Sequence, residues 1–371
     1  MNNKSLVWLV IAVIVIAGAW YMWKGQGNMA DETGPIRIGA SLPLSGEVAS
    51  FGEFTKAGID LALKEINDAG GINGRTLEVV YEDDRCSEAG STVFNKLVNI
   101  DKVHAIIGPV CSPAAGPGIP IAEKAKIPTI IWASAPGLAD LGDYIFRTYP
   151  SDAFQGKVGA EYVYNELGKR NVAVLYTKND WGQGITDVFS KRFTELGGTI
   201  VAVESASQET TDLRTQLTKL RDANPDLIYL PLFTASATGA VKQAKDLGIT
   251  VPFFGGDVLQ VTEFLSVPES EGVMYTFGKL NEPDAFKARV LEVTGKESNV
   301  FSGLGYDSLK IMAKIMSEVG TDPEAIKKEL EKLQYTEGVS LPLISFDEAG
   351  DLATAEVEVR IIRGGKSELL K

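Results

Sequence analysis

Histidine is almost missing from this chain of 371 residues: His104 stands alone. That leaves no histidine pair for a metal centre and no second imidazole for proton relay. His104 falls in the strand-like run Val103–Ile107 and reads as structural. Cysteine is nearly as scarce, with Cys86 and Cys111 only, too few for a four-thiolate zinc knot. Positive charge is in deficit, since 36 Lys and Arg against 49 Asp and Glu leave a formal charge of −13. Sequence-independent nucleic-acid binding runs on clustered Lys and Arg, so this balance argues against it. The strings that announce common catalytic and nucleotide sites are missing too: there is no G-x-S-x-G elbow, P-loop, G-x-G-x-x-G or EF-hand loop. No cofactor is implied. The adjacent acids Asp83 and Asp84 read as a solvated loop rather than a cation site.

What the sequence does contain begins with a separate object. Leu6 to Trp23 runs without a charge (LVWLVIAVIVIAGAWYMW), near the lower length limit of a membrane-spanning helix. Trp20, Tyr21 and Trp23 sit at its end, where aromatic rings favour a membrane–water interface. Lys4 precedes the run, which places the N-terminus inside and the body outside. Two readings stand: an uncleaved anchor over 6–23, or a signal peptide cut near Ala19 after the small-x-small pattern Ala17-Gly18-Ala19. With no cysteine nearby, the bacterial lipoprotein route is closed. Either way the body is extracytoplasmic. Residues 1–5 form a short tail, and 24–34 (KGQGNMADETG) a polar linker.

The body alternates strand and helix. Short apolar runs at Ile36–Ser41, Leu77–Tyr81, Val103–Ile107, Thr129–Trp132, Val172–Tyr176, Ile200–Val203, Leu227–Leu230 and Phe253–Gly255 read as strands. Amphipathic stretches between them read as helices: Phe54–Ala69, Ala89–Ile100, Pro113–Lys124, Val158–Leu167, Ile185–Leu196, Leu213–Ala223 and Ala240–Leu247. This pattern argues an α/β fold with parallel sheets covered on both faces, in two similar lobes. After about residue 276 the pattern turns helical (Phe286–Thr294, Leu304–Val319, Pro323–Leu333). Two late strands follow at Leu343–Phe346 and Ala355–Ile362.

Ligands of open α/β sheets bind outside the carboxyl ends of strands, and several segments lie there. Cys86 and Cys111 each follow a strand; in an oxidising compartment a Cys86–Cys111 disulfide is the default, the alternative being two buried thiols. Ser112 precedes Pro113 at a helix start, where it either caps the helix or helps hold a carboxylate. Ser134 in Ala133-Ser134-Ala135 adds a hydroxyl, or is part of an ordinary loop. Trp181 is a lobe-edge packing residue or a wall over a ligand. Asp257 in Gly255-Gly256-Asp257 is a turn aspartate or an acceptor for an ammonium group. Phe51 and Phe233 are further candidate walls. Together these residues outline a receptacle for a zwitterion with an apolar side chain.

The order of motifs from Ile36 to about Gly365 resembles the type I periplasmic solute-binding proteins, specifically the leucine/isoleucine/valine-binding family that serves ABC importers. The resemblance rests on Leu44-Ser45-Gly46 with Phe51-Gly52, on Asn67-Asp68-Ala69-Gly70-Gly71-Ile72-Asn73-Gly74, and on Tyr81-Glu82-Asp83-Asp84 with Cys86. It continues through Gly108-Pro109-Val110-Cys111-Ser112, Asp180-Trp181-Gly182-Gln183-Gly184, Gly255-Gly256-Asp257 and Leu341-Pro342-Leu343-Ile344-Ser345-Phe346-Asp347. It implies two Rossmann-like lobes joined by three crossings, near Thr148–Pro150, Phe277–Lys279 and Leu352–Ala355. Lobe 1 would hold 35–148 and 278–352, lobe 2 149–277 and 353–371. It implies no enzymatic activity. It implies instead capture of a small apolar or branched-chain amino acid, with delivery to the membrane subunits of an ABC permease. Ser112 would contact the ligand carboxylate, the Ala133 carbonyl and Ser134 hydroxyl the head group, and Asp257 the ammonium. Phe51, Trp181 and Phe233 would form walls. The loop bearing Ala133 and Ser134 is shorter than in familiar members. The alternatives are a ligand-sensing module for a signalling partner, or a receptor for an amide, urea or aromatic acid.

Overall fold

The computed structural model describes residues 34–370. The segment 6–23, with its anchor and signal readings, lies outside the described residues. Among those described, no helix is long and apolar enough to cross a membrane.

Strands β1 (Ile36–Leu42), β2 (Leu77–Asp83), β3 (Ala105–Ile107), β4 (Thr129–Ile131) and β5 (Ile145–Arg147) form one parallel sheet in the order β2-β1-β3-β4-β5. A second sheet holds β6 (Asn171–Thr177), β7 (Thr199–Ala206), β8 (Leu227–Leu230), β9 (Phe253–Gly255), β10 (Met274–Gly278), β11 (Val357–Arg363) and β12 (Lys366–Leu369). Its order is β12-β11-β10-β9-β8-β6-β7. β10 is parallel to β9, but β11 and β12 are antiparallel additions, so this sheet is mixed. Central strands such as β3, β4 and β8 are buried at every residue, because helices cover both faces. Three strands escape the sequence pattern, among them β12, the short last strand. β5 is three residues long, too short for periodicity to register, and β10 lies where the pattern turns helical.

The α-helices of seven residues or more are α1 (Ala49–Asp68), α2 (Gly90–Lys96), α3 (Ser112–Ala125), α4 (Asp152–Glu161), α5 (Asp180–Glu195), α6 (Arg214–Asp222), α7 (Thr234–Asp246), α8 (Asp284–Thr294), α9 (Val300–Val319) and α10 (Pro323–Glu331). α1 starts five residues before the expected Phe54, which puts Phe51 inside its first turns. α9 crosses α1 against the first sheet's layer, at very close range. A Cβ on Gly58 would stand 1.8 Å from the Ser302 carbonyl oxygen, and one on Gly305 2.5 Å from that of Thr55. Glycine is therefore required at both positions for the backbones to meet. This approach brings Phe51 and Phe301 together, with ring centroids 4.6 Å apart.

The expected strand at Leu343–Phe346 does not form. Ile344 and Phe346 make only single bridges, to Tyr335 and Leu352. The segment just before it is tied to a side chain instead: the Asp307 carboxylate accepts from the backbone N–H groups of Val339 (2.9 Å) and Ser340 (2.8 Å).

The Asp83-Asp84 pair is also not a solvated loop. Asp84 is fully buried and accepts from the Ser41 hydroxyl and the Cys86 amide, each at 2.8 Å. Burial pushes its carboxyl up to about 6. Asp83 gathers the amides of Leu44, Ser45 and Arg85. Together they pin the loop that carries Cys86, which is bonded to Cys111 across a sequence separation of 25. Closing a loop of that length is worth about 3–4 kcal/mol in the chain-entropy account. The double substitution Cys86→Ser with Cys111→Ser is therefore expected to lower the unfolding free energy by that amount in a urea titration. Unchanged stability under non-reducing conditions would count against the clasp.

Candidate functional site

The carboxyl ends of both sheets open on one cavity. It is lined by Phe51, Ser112, Trp132, Ser134, Tyr149 and Phe301 from one side and by Trp181, Phe233, Asp257 and Val258 from the other, with Val110 and Cys111 completing it. Its ≈ 40 Å³ of room for water-sized centres, against roughly 10–15 Å³ for a single water, suits a small solute rather than a polymer. Of the seven ligand candidates in the sequence, six line this cavity and Ala133 does not.

Each wall is set by its own helix start. Asn299 caps α9, accepting from the Phe301 amide at 2.9 Å, while the Ser302 hydroxyl accepts from the Asn299 amide; this reciprocal cap fixes Phe301 at the cavity edge. Asn179 caps α5 by accepting from the Gly182 amide at 2.9 Å. That turn sets Trp181 edge-on to Phe233, with centroids 5.1 Å apart. The Trp132 indole donates to the Ser308 hydroxyl at 3.1 Å, whereas the buried Trp181 Nε1 has no protein partner.

The polar groups differ from expectation in two respects. Ser112 does not cap α3: Cys111 occupies the cap position, and the Ser112 hydroxyl accepts from the Ala135 amide at 3.1 Å. Its own proton stays available to an acceptor in the cavity, at the amino end of a helix of 14 residues. Ala133 is buried, and its carbonyl is already engaged by Arg147 Nη1 at 3.1 Å. Arg147 is completely buried. It donates through Nε and Nη2 to Asp351 (2.7 and 2.9 Å) and through Nη1 also to the Ala135 carbonyl at 2.8 Å. The guanidinium thus grips the short loop on either side of Ser134.

Asp257, which lines the cavity, meets a second carboxyl group, that of Asp152. The Gln155 side-chain amide bridges them, donating to Asp152 Oδ1 at 2.9 Å and to Asp257 Oδ2 at 3.0 Å. Asp152 Oδ2 and Asp257 Oδ1 are buried without a protein hydrogen-bond partner. Burial holds both carboxyls above the usual range, and repulsion from Asp257 raises Asp152 further. The Arg147 charge and the Ser134 hydroxyl partly offset this at Asp152, as the Tyr149 hydroxyl does at Asp257. Tyr149 and Tyr229 are themselves pushed far up, by burial first and then by these two acids. Two buried acids sharing one amide, each with an idle oxygen, have the chemistry to accept from a cation that brings its own N–H donors.

Asp152, Gln155, Arg147 and Tyr149 escape the sequence reading. Ser151 caps α4 by accepting from the Ala153 amide, so Ser151-Asp152 looks like an ordinary helix start with an acid in its first turn. The available signal was position: all four lie at or just past the carboxyl end of β5, the strand that periodicity missed. Among the described residues, no group of three or more His, Cys, Asp or Glu could hold a metal ion. His104 does structural work, its Nδ1 lying 3.1 Å from the Arg37 amide that donates to it.

Two α/β lobes with strand ends facing a shared cavity define a two-lobed solute-binding protein. Residues 35–366 match the periplasmic binding protein family, and the chain belongs to that family. The leucine-, isoleucine-, valine-, threonine- and alanine-binding protein of Pseudomonas aeruginosa is similar at 30% identity, over 90% of this chain and 90% of its own length. Among solved structures, the leucine-binding protein LivK of Thermotoga maritima superposes with a TM-score of 0.82 at 28% identity, covering 91% of this chain and 98% of its own. LivJ of Streptococcus pneumoniae, solved with isoleucine, gives 0.79 at 28% identity, covering 91% of this chain and 99% of its own. A solute-binding protein of R. palustris in complex with benzoate shares the fold, with a TM-score of 0.80 at 21% identity over 91% of this chain and 96% of its own.

Proposed function

We propose that the protein is an extracytoplasmic receptor that captures a small apolar α-amino acid between its lobes and presents it to an ABC import permease. The observation that carries this reading is the polarity of the cavity. Asp257, with one unpartnered buried oxygen and bridged through Gln155 to Asp152, lines the cavity together with the Ser112 hydroxyl at the start of α3, and the rings of Phe51, Trp181, Phe233 and Phe301 line much of the rest. An α-amino acid presents its ammonium to the acids, its carboxylate to Ser112, and its side chain to Phe51, Trp181, Phe233 and Phe301. Ser134 adds a hydroxyl to the head group; the Ala133 carbonyl, held by Arg147, has one lone pair left to give. Relatives named for leucine, isoleucine and valine support the ligand class.

The lobes would comprise 35–148 with 278–352, and 149–277 with 353–371. Strand membership supports these bounds, since β5 ends the first sheet, β6 to β10 build the second, and β11 returns to it. Ligand contacts from both lobes would favour the closed state. The tether would be the apolar segment 6–23, if it is not cleaved.

Calorimetric titration against the twenty amino acids and benzoate tests the assignment. Binding of one or more aliphatic amino acids is expected. Benzoate binding without any amino acid would favour the aromatic-acid reading, against which the paired acids speak, because benzoate brings no cation to them. The same titration has a pH signature. In the empty site both carboxyls are raised; an ammonium beside them favours their ionised forms and lowers them again. Binding therefore releases protons, and affinity rises with pH until the empty pair is fully ionised. Titrations at mildly acidic pH, in two buffers of different ionisation enthalpy, are expected to show net release that fades as pH is raised. Net uptake would refute it.

A further inference from the structure

Helix α7 starts at the cavity wall and lacks a cap of its own. Its cap residue is Phe233, which offers no side-chain acceptor, and its first turn contains no acid. The Thr234 hydroxyl there is buried without a partner. The first amides of a helix have no partner inside it and carry partial positive charge. One of them is satisfied from outside: the Ala235 N–H donates to Glu47 Oε1. Glu47 belongs to the other lobe, in the turn between β1 and α1. The hydrogen bond therefore spans the cleft.

We propose that Glu47 is a cross-cleft cap: a positioning residue that raises ligand affinity without touching the ligand, by completing α7 only when the lobes are shut. Opening the cleft removes the carboxylate and leaves the start of α7 uncapped, so the closed state alone gains this interaction. The capped residue, Ala235, is two positions beyond Phe233, which packs against Trp181 on the cavity wall. Closure, helix capping and wall placement are thus one event. Glu47 is half buried. Its carboxyl is raised mainly by burial and further by Glu209, while the Ala235 amide pulls it down. The lost hydration is compensated by the amide of the opposing lobe. Two other contacts cross nearby. The Gln208 side-chain amide reaches the Cys86 carbonyl at 3.5 Å, and a Cβ on Gly184 would lie 2.8 Å from the Pro136 ring. Neither places a charge on a helix end, so Glu47 makes the directed polar closure.

This inference rests on the cavity being a ligand site that closes. Its test compares wild type with Glu47→Ala and Glu47→Gln, using L-leucine as titrant and small-angle scattering of the empty protein. Loss of a cap is typically worth about 0.5–2 kcal/mol, and tenfold corresponds to 1.4 kcal/mol. Glu47→Ala is therefore expected to weaken leucine binding roughly 2- to 30-fold, through faster dissociation with the association rate unchanged. Glu47→Gln keeps the acceptor and is expected to recover part of the loss. The empty Ala variant is expected to show the larger radius of gyration, and its urea midpoint to fall by much less than its affinity does. Wild-type affinity and dissociation rate in Glu47→Ala would overturn the cap, as would a urea midpoint that falls in proportion to affinity. If wild type binds no leucine, the amino-acid reading fails separately, and scattering decides: equal radii for wild type and Glu47→Ala would then overturn the cap.

Discussion

Asp257→Ala is expected to reduce amino-acid affinity by roughly 30-fold to several thousand-fold, because truncating one partner of a buried charge pair typically costs about 2–5 kcal/mol. The opposite result is expected for the stability of the empty protein. Asp257 is buried beside Asp152 with one unpartnered oxygen, and burial raises its carboxyl. The sign follows from proton linkage. A raised acid binds protons more tightly in the folded state, so its contribution is complete below the ordinary aspartate range and is lost as pH rises through the folded value. At neutral pH an ionised Asp257 therefore burdens the fold. Asp257→Asn removes that burden while keeping size and polarity, so it should bind poorly and yet unfold at higher urea concentration than wild type. An Asn variant with both properties intact would show that Asp257 is neither an ammonium acceptor nor a strained charge. Such a trade of stability for function is what the proposed role of Asp257 entails.

Arg147→Met is expected to destabilise the protein about as much as loss of the disulfide. The wild-type guanidinium is fully buried and satisfies Asp351 and the carbonyls of Ala133 and Ala135. Removing one partner of a buried pair costs about 3–5 kcal/mol. The lower half of that range applies here, because the Asp351 side chain is 22% exposed and water can screen what remains. A urea titration measures the loss. The double variant Arg147→Met with Asp351→Leu is expected to regain much of the stability and little of the affinity, since the loop around Ser134 stays ungripped. Arg147→Lys should not rescue, because a point charge cannot reproduce a fork that serves two carbonyls and a carboxylate at once. A double variant with wild-type affinity would show that the loop holds its own shape.

The alternation of strand and helix was legible because buried parallel strands read as short apolar runs, and Leu227–Leu230 and Phe253–Gly255 occur with the expected bounds. β5 was hidden by its length, and with it every polar residue just beyond. Asp152 was disguised as a helix-start acid, a role its position also fills. Ser112 was correctly placed at a helix start; of its two readings, capping gives way to an acceptance from Ala135, 23 residues away, which only tertiary structure brings near. Ala133 came from resemblance alone. The shortened loop lets Arg147 reach a carbonyl that the resemblance assigns to the ligand. Asp84 shows the limit of composition: two adjacent acids look solvated until the Ser41 hydroxyl and the Cys86 amide are brought to one of them.

The second sheet assembles in an order that differs from the order of the chain. β10 takes β11 as its antiparallel neighbour, so a strand near residue 278 waits for partners drawn from residues 357–363. The first lobe waits in the same way for α9, which covers α1. During N-to-C synthesis neither half can bury its full core until nearly all of the polypeptide has been made. Pairings this distant in sequence are also slow to close. The emerging chain is thereby kept threadable, since no early fragment holds enough of either lobe to lock shut. In this late-arriving strand the topology itself sets when the second sheet can be completed.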